Sequence, residues 1–410
     1  MLMRQFIFTL FVLGCGVGQS LRAQPLATND INPAIELWTY PNAPGKGLNR
    51  IPIFAYLGDD SGEDTRMGQD VFGWTTASLI PTNQTPTHYI VRRCRVTLTV
   101  KDDATFTYDP THDDYQTYLE TNDPAYQEDA DAGRPVELFG LNYRNGYDAY
   151  SFNENSPFGD GAPGGRNAYP VSWATNGVFT DVSNNVGKTN VDFPPFEAWP
   201  FAVGQFTNVA PGDLVPAGSK MFFDLDVNDP AVVTYLQNSL NIGVLNFDVT
   251  SLHSVLGMTG PDTYPAFSTP FNQMAPPTPR LELEVSVIRD LDTDNDGLPD
   301  DWEMFYFGNL DQGANDDPDH DGVSNLNEYL AGTDPTKADS AFYLVATSAS
   351  TLRWPNLPSR QFIVQYSDDL KTWETVSNAA VIYPTPSTAT WTDPHPSATK
   401  RFYRVRAVTP

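Results

Sequence analysis

DTDNDGLPDDWE, residues 292–303, and DPDHDGVSNLNE, residues 317–328, are two copies of one twelve-residue pattern. In a calcium loop of this length, positions 1, 3, 5 and 12 supply side-chain oxygens and position 7 a backbone carbonyl. Position 9 often acts through water, and glycine at position 6 allows the sharp turn. The first copy fills these slots with Asp292, Asp294, Asp296, Leu298, Asp300 and Glu303, with Gly297 at the turn. The second fills them with Asp317, Asp319, Asp321, Val323, Asn325 and Glu328, with Gly322 at the turn. A merely solvated acidic run has no reason to keep glycine at 6 and glutamate at 12. The spacing predicts two bound Ca2+ ions.

Each loop is expected to feed a short helix. Pro299 suits a first helical turn, where its missing N–H would be unpaired anyway, and Asp300 and Asp301 complement the positive helix start. Trp302, Phe305 and Tyr306 form an apolar face, matched after the second loop by Leu326, Tyr329 and Leu330. Gly308 and Gly332 stand where a left-handed residue would end each helix. The loops start 25 residues apart, which leaves no room for a full entering helix before the second. Paired intracellular sensors are built differently.

The two loops resemble the loop–helix calcium repeats of dockerins and thrombospondin type 3 repeats. The run DHDGVSNLNEYLAGTDP (319–335) is similar to bacterial versions of the latter. Calcium is expected to neutralise and staple this acidic linker, with regulated sensing as the other reading. Position 12 is glutamate in both copies, where those families often carry aspartate, so cohesin recognition is not carried over.

The charge distribution supports a linker role. Net charge is −27, and residues 290–339 hold 15 acidic residues against one lysine. Such a block either stays open by self-repulsion or collects cations. The 71 residues that follow carry +3. The acidity argues against nucleic acid, whose phosphates need a basic footprint.

The composition upstream, rich in Pro, Gly and aromatics, points to β-sandwiches. Residues 51–57, 89–101, 136–140, 221–227, 242–249 and 280–287 read as strands. In the last, Leu281, Leu283, Val285 and Val287 alternate with Arg280, Glu282, Glu284 and Ser286, one face buried and one wet. Cys94 shares the parity of Ile90, Val96, Leu98 and Val100, which makes it a core thiol. A short helix is expected at 230–240, and long loops between 143 and 195 are expected to be functional or disordered. The run 223–247, with Asn241, Gly243 and Leu245 after the helix, resembles the back half of DNRLRE-type extracellular jelly rolls. That resemblance implies a carbohydrate-binding or adhesive module.

Residues 340–410 read as short strands with turns. Tyr403, Val405 and Ala407 should face inward and Arg404 and Arg406 outward, while Trp354, Trp373 and Trp391 serve as core anchors. The pattern VQYSDDLKTWETV…WTD…RFYRVR resembles a small fibronectin-III- or immunoglobulin-like domain.

The N-terminus has Arg4, an apolar run from Phe6 to Leu13 and a small-residue tail, the pattern of a secretory signal peptide. Cleavage after Ala23 and lipidation at Cys15 both stay open. Cleavage after Ala23 leaves Gln24 as the new N-terminus and Cys94 as the one remaining cysteine, so that mature chain can form no internal disulfide. No HExxH, GxSxG or P-loop pattern occurs. Asp109, His112, Asp113 and Asp114 form the best candidate cluster for carboxylate catalysis, with a surface patch or extra cation site as the other reading. Tyr143, Tyr147, Tyr150, Phe152 and Trp173 could stack on sugar rings or pack their loops onto the sheet.

The expected architecture is mainly β: a signal peptide (1–23), a large jelly-roll-like sandwich (24–289), an EF-hand-like linker with two small helices (290–339) and a small β-sandwich (340–410). The expected function is non-enzymatic binding or adhesion outside the cell or on its surface, with polysaccharide or a surface protein as partner. A polysaccharide-acting enzyme is the alternative. No transmembrane segment is expected, and the sequence carries no sign of oligomeric state.

Overall fold

A computed structural model describes residues 26–31, 33, 35–39, 50–55, 67–118, 121–153, 155–157, 159, 166–174, 177–182, 199–251, 253, 263–269, 279–377, 379–396 and 401–408. The expected signal peptide, Cys15 and both cleavage sites lie outside them. The fold is mainly β, as expected. Among the described residues no helix is long and apolar enough to cross a membrane.

Two antiparallel sheets enclose the principal core. The smaller orders its strands Leu26–Ile31, Arg280–Val287, Tyr89–Thr99 and Lys220–Asp224. The larger runs Ile35–Thr39, Met67–Thr75, Val244–Ser251, Val136–Tyr143, Ala168–Trp173 and Phe179–Asp181, with two short strands paired to its second and fourth members. Inward residues such as Phe72, Trp74, Val96, Leu98, Leu245, Phe247 and Leu283 form one continuous cluster. Cys94 lies within it, 1% exposed, and burial pushes its thiol up.

Helix α1, Pro230–Ile242, is delimited by local chemistry. The Asp229 carboxylate accepts from the N–H groups of Ala231 (2.7 Å) and Val232 (3.3 Å), and Gly243 ends the helix at φ 85°. Val232, Leu236 and Leu240 pack into the core. From the same helix, the Gln237 side-chain amide donates to the Tyr89 carbonyl at 2.9 Å.

Several expectations need correction. Ile90 does not share the core parity of Cys94. The pairing of Tyr89–Thr99 with Arg280–Val287 shifts register between Glu284 and Val285, so Tyr89 and Val91 turn inward. Ile90 turns the other way, onto the cluster beneath the acidic loops. Ser286, opposite Ile90, is fully buried and not on a wet face. Of the strand expected at 51–57, the described residues 51–55 hold two short strands, Ile51–Pro52 and Phe54–Ala55, and the region taken as long loops contains Ala168–Trp173 and Phe179–Asp181.

The C-terminal segment packs a four-stranded sheet against a three-stranded one. Trp354 and Trp391 are 1% and 3% exposed in its core. Tyr403 and Val405 pack against them, whereas Arg404 and Arg406 are exposed. Trp373 is not a core anchor. It is half-buried beneath the Arg404 guanidinium, 4.3 Å from its ring centre.

Candidate metal centres

The two acidic loops adopt the same backbone. Position 4 is left-handed in both, Asn295 at φ 62° and His320 at φ 64°. Position 6 is left-handed too, Gly297 at φ 98° and Gly322 at φ 93°, a region in which a Cβ is strained. In each loop the first aspartate holds the turn: the Gly297 N–H donates to Asp292 and the Gly322 N–H to Asp317, both at 3.0 Å. The fifth position closes onto the seventh, with Leu298 N–H donating to Asp296 (2.8 Å) and Val323 N–H to Asp321 (2.6 Å).

This folding gathers the carboxylates. Asp292, Asp294 and Asp296 each bring an oxygen within 4.8 Å of the others, and so do Asp317, Asp319 and Asp321. Short helices follow as expected, α2 at Asp300–Tyr306 and α3 at Asn325–Ala331. Pro299 is the N-cap of α2 and not its first residue. The helices aim the twelfth residue of each loop inward, and Glu303 and Glu328 are fully buried. Among the described residues neither oxygen of Glu303 has a hydrogen-bond donor, and Glu328 Oε2 has none. Burial pushes Glu303 up to about 7, helped by Asp296, Asp294, Asp300 and Asp292. Burial pushes Glu328 to about 7 as well, against a hydrogen bond from Thr333.

Position 9 differs between the loops. Asp300 is engaged within its own loop, accepting from the Thr293 N–H at 2.7 Å. Asn325 is buried, its amide donates to the Gly313 carbonyl at 3.0 Å, and its Oδ1 is unpaired. In the second loop Asp317 Oδ1, Asp319 Oδ2 and Asp321 Oδ2 are also shielded acceptors without donors.

The loops form one unit. Ala314 N–H donates to Asp296 Oδ2 at 2.8 Å, and the Ala314 carbonyl accepts from Leu326 N–H at 3.0 Å. Beneath them Leu298, Trp302 and Ala314 pack with Ile288, Ile90 and Tyr329. Leu330 does not join this face and is 54% exposed. Phe305 lies under the Arg92 guanidinium, 4.3 Å away.

Both β regions touch this unit. His88 Nε2 lies 3.4 Å from Asp290 Oδ1, and Arg360 Nε donates to the Leu330 carbonyl at 2.8 Å. Ser359 reaches past the loops to α1, its N–H donating to Thr234 Oγ1 and its hydroxyl to Gln237 Oε1, both at 2.8 Å. A cavity of about 430 Å³ lies at this three-way junction, lined by His88, Tyr89, Asp290, Trp302, Tyr329 and Arg360.

Of the other candidates, Asp109 and Asp113 meet, His112 turns to Glu137, and Asp114 is not part of the cluster. The residues that complete it, Asp129 and Asp131, were not singled out in the sequence, where the Asp-Ala-Asp run lacks the glycine that follows the third aspartate in the two calcium loops. Glu36 and Asp70 were also missed. They are 5% and 0% exposed, and among the described residues no group donates to either carboxyl. Of the aromatics, Tyr143 and Tyr147 pack on Phe152, and Trp173 meets Phe179 and Tyr383 edge-on.

Comparison with protein-family models and with curated proteins finds no match to this chain. Fold and site together define a mainly β protein whose acidic clusters could hold metal ions.

Proposed function

We propose that the chain is a secreted or cell-surface calcium-binding protein whose two loop ions stiffen the joint between its β regions. Its role is binding or adhesion. The observation that carries this reading is the set of shielded, donorless oxygens on Glu303, Asp317, Asp319, Asp321, Asn325 and Glu328. Buried acceptors of like charge are costly unless a cation satisfies them. Oxygen-only donors select a hard ion, and calcium accepts six to eight such ligands at about 2.3–2.6 Å. Donors at that radius lie up to about 5 Å apart across the ion, and in each loop the three aspartate oxygens lie within 4.8 Å of one another. Extracellular calcium, near millimolar, fills even weak sites of this kind.

The partner proposed for the first β region is a saccharide. A cleft of about 310 Å³ there is lined by Tyr143, Tyr147 and Phe179 beside Asn142, Asp148 and Asn238. Aromatic faces with nearby amide and carboxylate groups suit sugar rings, which present both CH faces and hydroxyls.

Thermal melts with limited proteolysis test the joint. Millimolar calcium is expected to raise the melting temperature and suppress cleavage within 290–339, and EDTA to reverse both. Identical melts and cleavage patterns in calcium and EDTA would sink the reading.

A further inference from the structure

We propose that Asp109, Asp113, Asp129 and Asp131 form a third calcium site, inside the first β region and separate from the joint. Two loop segments twenty residues apart converge here, and each aspartate places an oxygen within 4.8 Å of the other three. Among the described residues Arg134 is the one cation bonded to the group, through Asp113 Oδ2 at 2.6 Å and Asp129 Oδ2 at 3.0 Å. Four carboxylates against one guanidinium leave three negative charges in a confined space.

Hydrogen bonding does not absorb them. Asp109 is 3% exposed, and its Oδ2 is shielded from solvent with no donor among the described residues. Its Oδ1 accepts from the Thr111 N–H at 2.9 Å and faces the Thr111 hydroxyl at 2.8 Å. The same hydroxyl lies 3.0 Å from Asp131 Oδ2. A hydroxyl has one proton and cannot serve both carboxylates at once. A bound cation would satisfy Asp109 Oδ2 and whichever neighbour the hydroxyl leaves.

The donors are all oxygens, which excludes soft-metal preference. Calcium accepts such a cage of protein carboxylates, with ligands at about 2.3–2.6 Å that can span the 4.8 Å within which these oxygens lie, whereas magnesium usually keeps several waters in place of protein ligands.

Counting bound ions on the full chain by native mass spectrometry tests this, with calcium affinity followed by titration. Wild-type protein is expected to hold three ions and D129N/D131N two, with the third affinity at least tenfold weaker. Asp131 is exposed, and an asparagine at 129 still offers an oxygen to Arg134; circular dichroism checks that the variant keeps its fold. A linker variant, D292N/D294N/D317N/D319N, should keep one ion. Two ions in the wild type that survive D129N/D131N, or none in the linker variant, overturn the third site. One ion in the wild type, lost in D129N/D131N alone, supports this site while refuting the loop ions.

Discussion

Glu303 and Glu328 bury carboxylates whose near neighbours are other carboxylates, a placement with no stability rationale unless a cation joins them. Glu303→Gln and Glu328→Gln should each weaken calcium binding about tenfold or more, equivalent to about 1.4 kcal/mol. The calcium-free protein should melt no lower than wild type, because a repelled charge has gone. Calorimetric titration and melts in EDTA check both halves. Glu36 and Asp70 make a different statement. Burial, then the neighbouring Asp70, pushes Glu36 up to about 10, and burial pushes Asp70 well up. Glu36 is protonated in the folded chain at neutral pH and ionised in the unfolded one, and Asp70 is shifted in the same direction. The folded state therefore holds more protons, and this contribution is full below about pH 4 and lost as pH rises toward 10. Asp70→Asn should flatten that decline, raising the melting temperature at pH 8 relative to wild type in saturating calcium. An unchanged slope between pH 5 and 9 contradicts the assignment.

Strand Arg280–Val287 was legible because its alternation is strict and its pairing is central. Strand Met67–Thr75 was not, although it lies inside the larger sheet. Glycine and aspartate are poor strand formers, and the sequence alone cannot show why this strand carries them. Gly73 sits opposite Asn246, whose amide side chain fills the place a Cβ would take. Asp70 points into the core beside Glu36. Ile90 was misplaced because a bulge reverses parity, and a bulge is set by the partner strand. The acidic loops read correctly as loops followed by helices because their groups are consecutive in sequence. Asp129 and Asp131 join Asp109 only through the fold. The tryptophans separate in the same way, since equal spacing hid unequal burial. Trp354→Ala should cost about 3–5 kcal/mol, whereas Trp373→Ala, losing a half-exposed cation–π contact, should cost about 1 kcal/mol or less. Denaturant melts of the two variants check this ordering.

At the scale of the whole molecule, the acidic unit is seated between two β regions that also touch each other. Ser359 bonds α1 directly, Arg360 caps the end of α3, and Tyr383 stands against Trp173 and Gly177. Docking of this kind requires the unit between them to hold one shape. With 15 acidic residues against one lysine in residues 290–339, self-repulsion opposes that shape unless cations offset it. Hydrogen–deuterium exchange on the full chain, in millimolar calcium and in EDTA, tests the joint most directly. In calcium the amides of Gly297, Leu298, Ala314, Gly322 and Val323 should be protected, and so should Ser359. In EDTA all of them should exchange at least tenfold faster, while strands Tyr89–Thr99 and Arg280–Val287 stay protected. Equal protection of residues 290–339 in both conditions would contradict a calcium-stiffened joint.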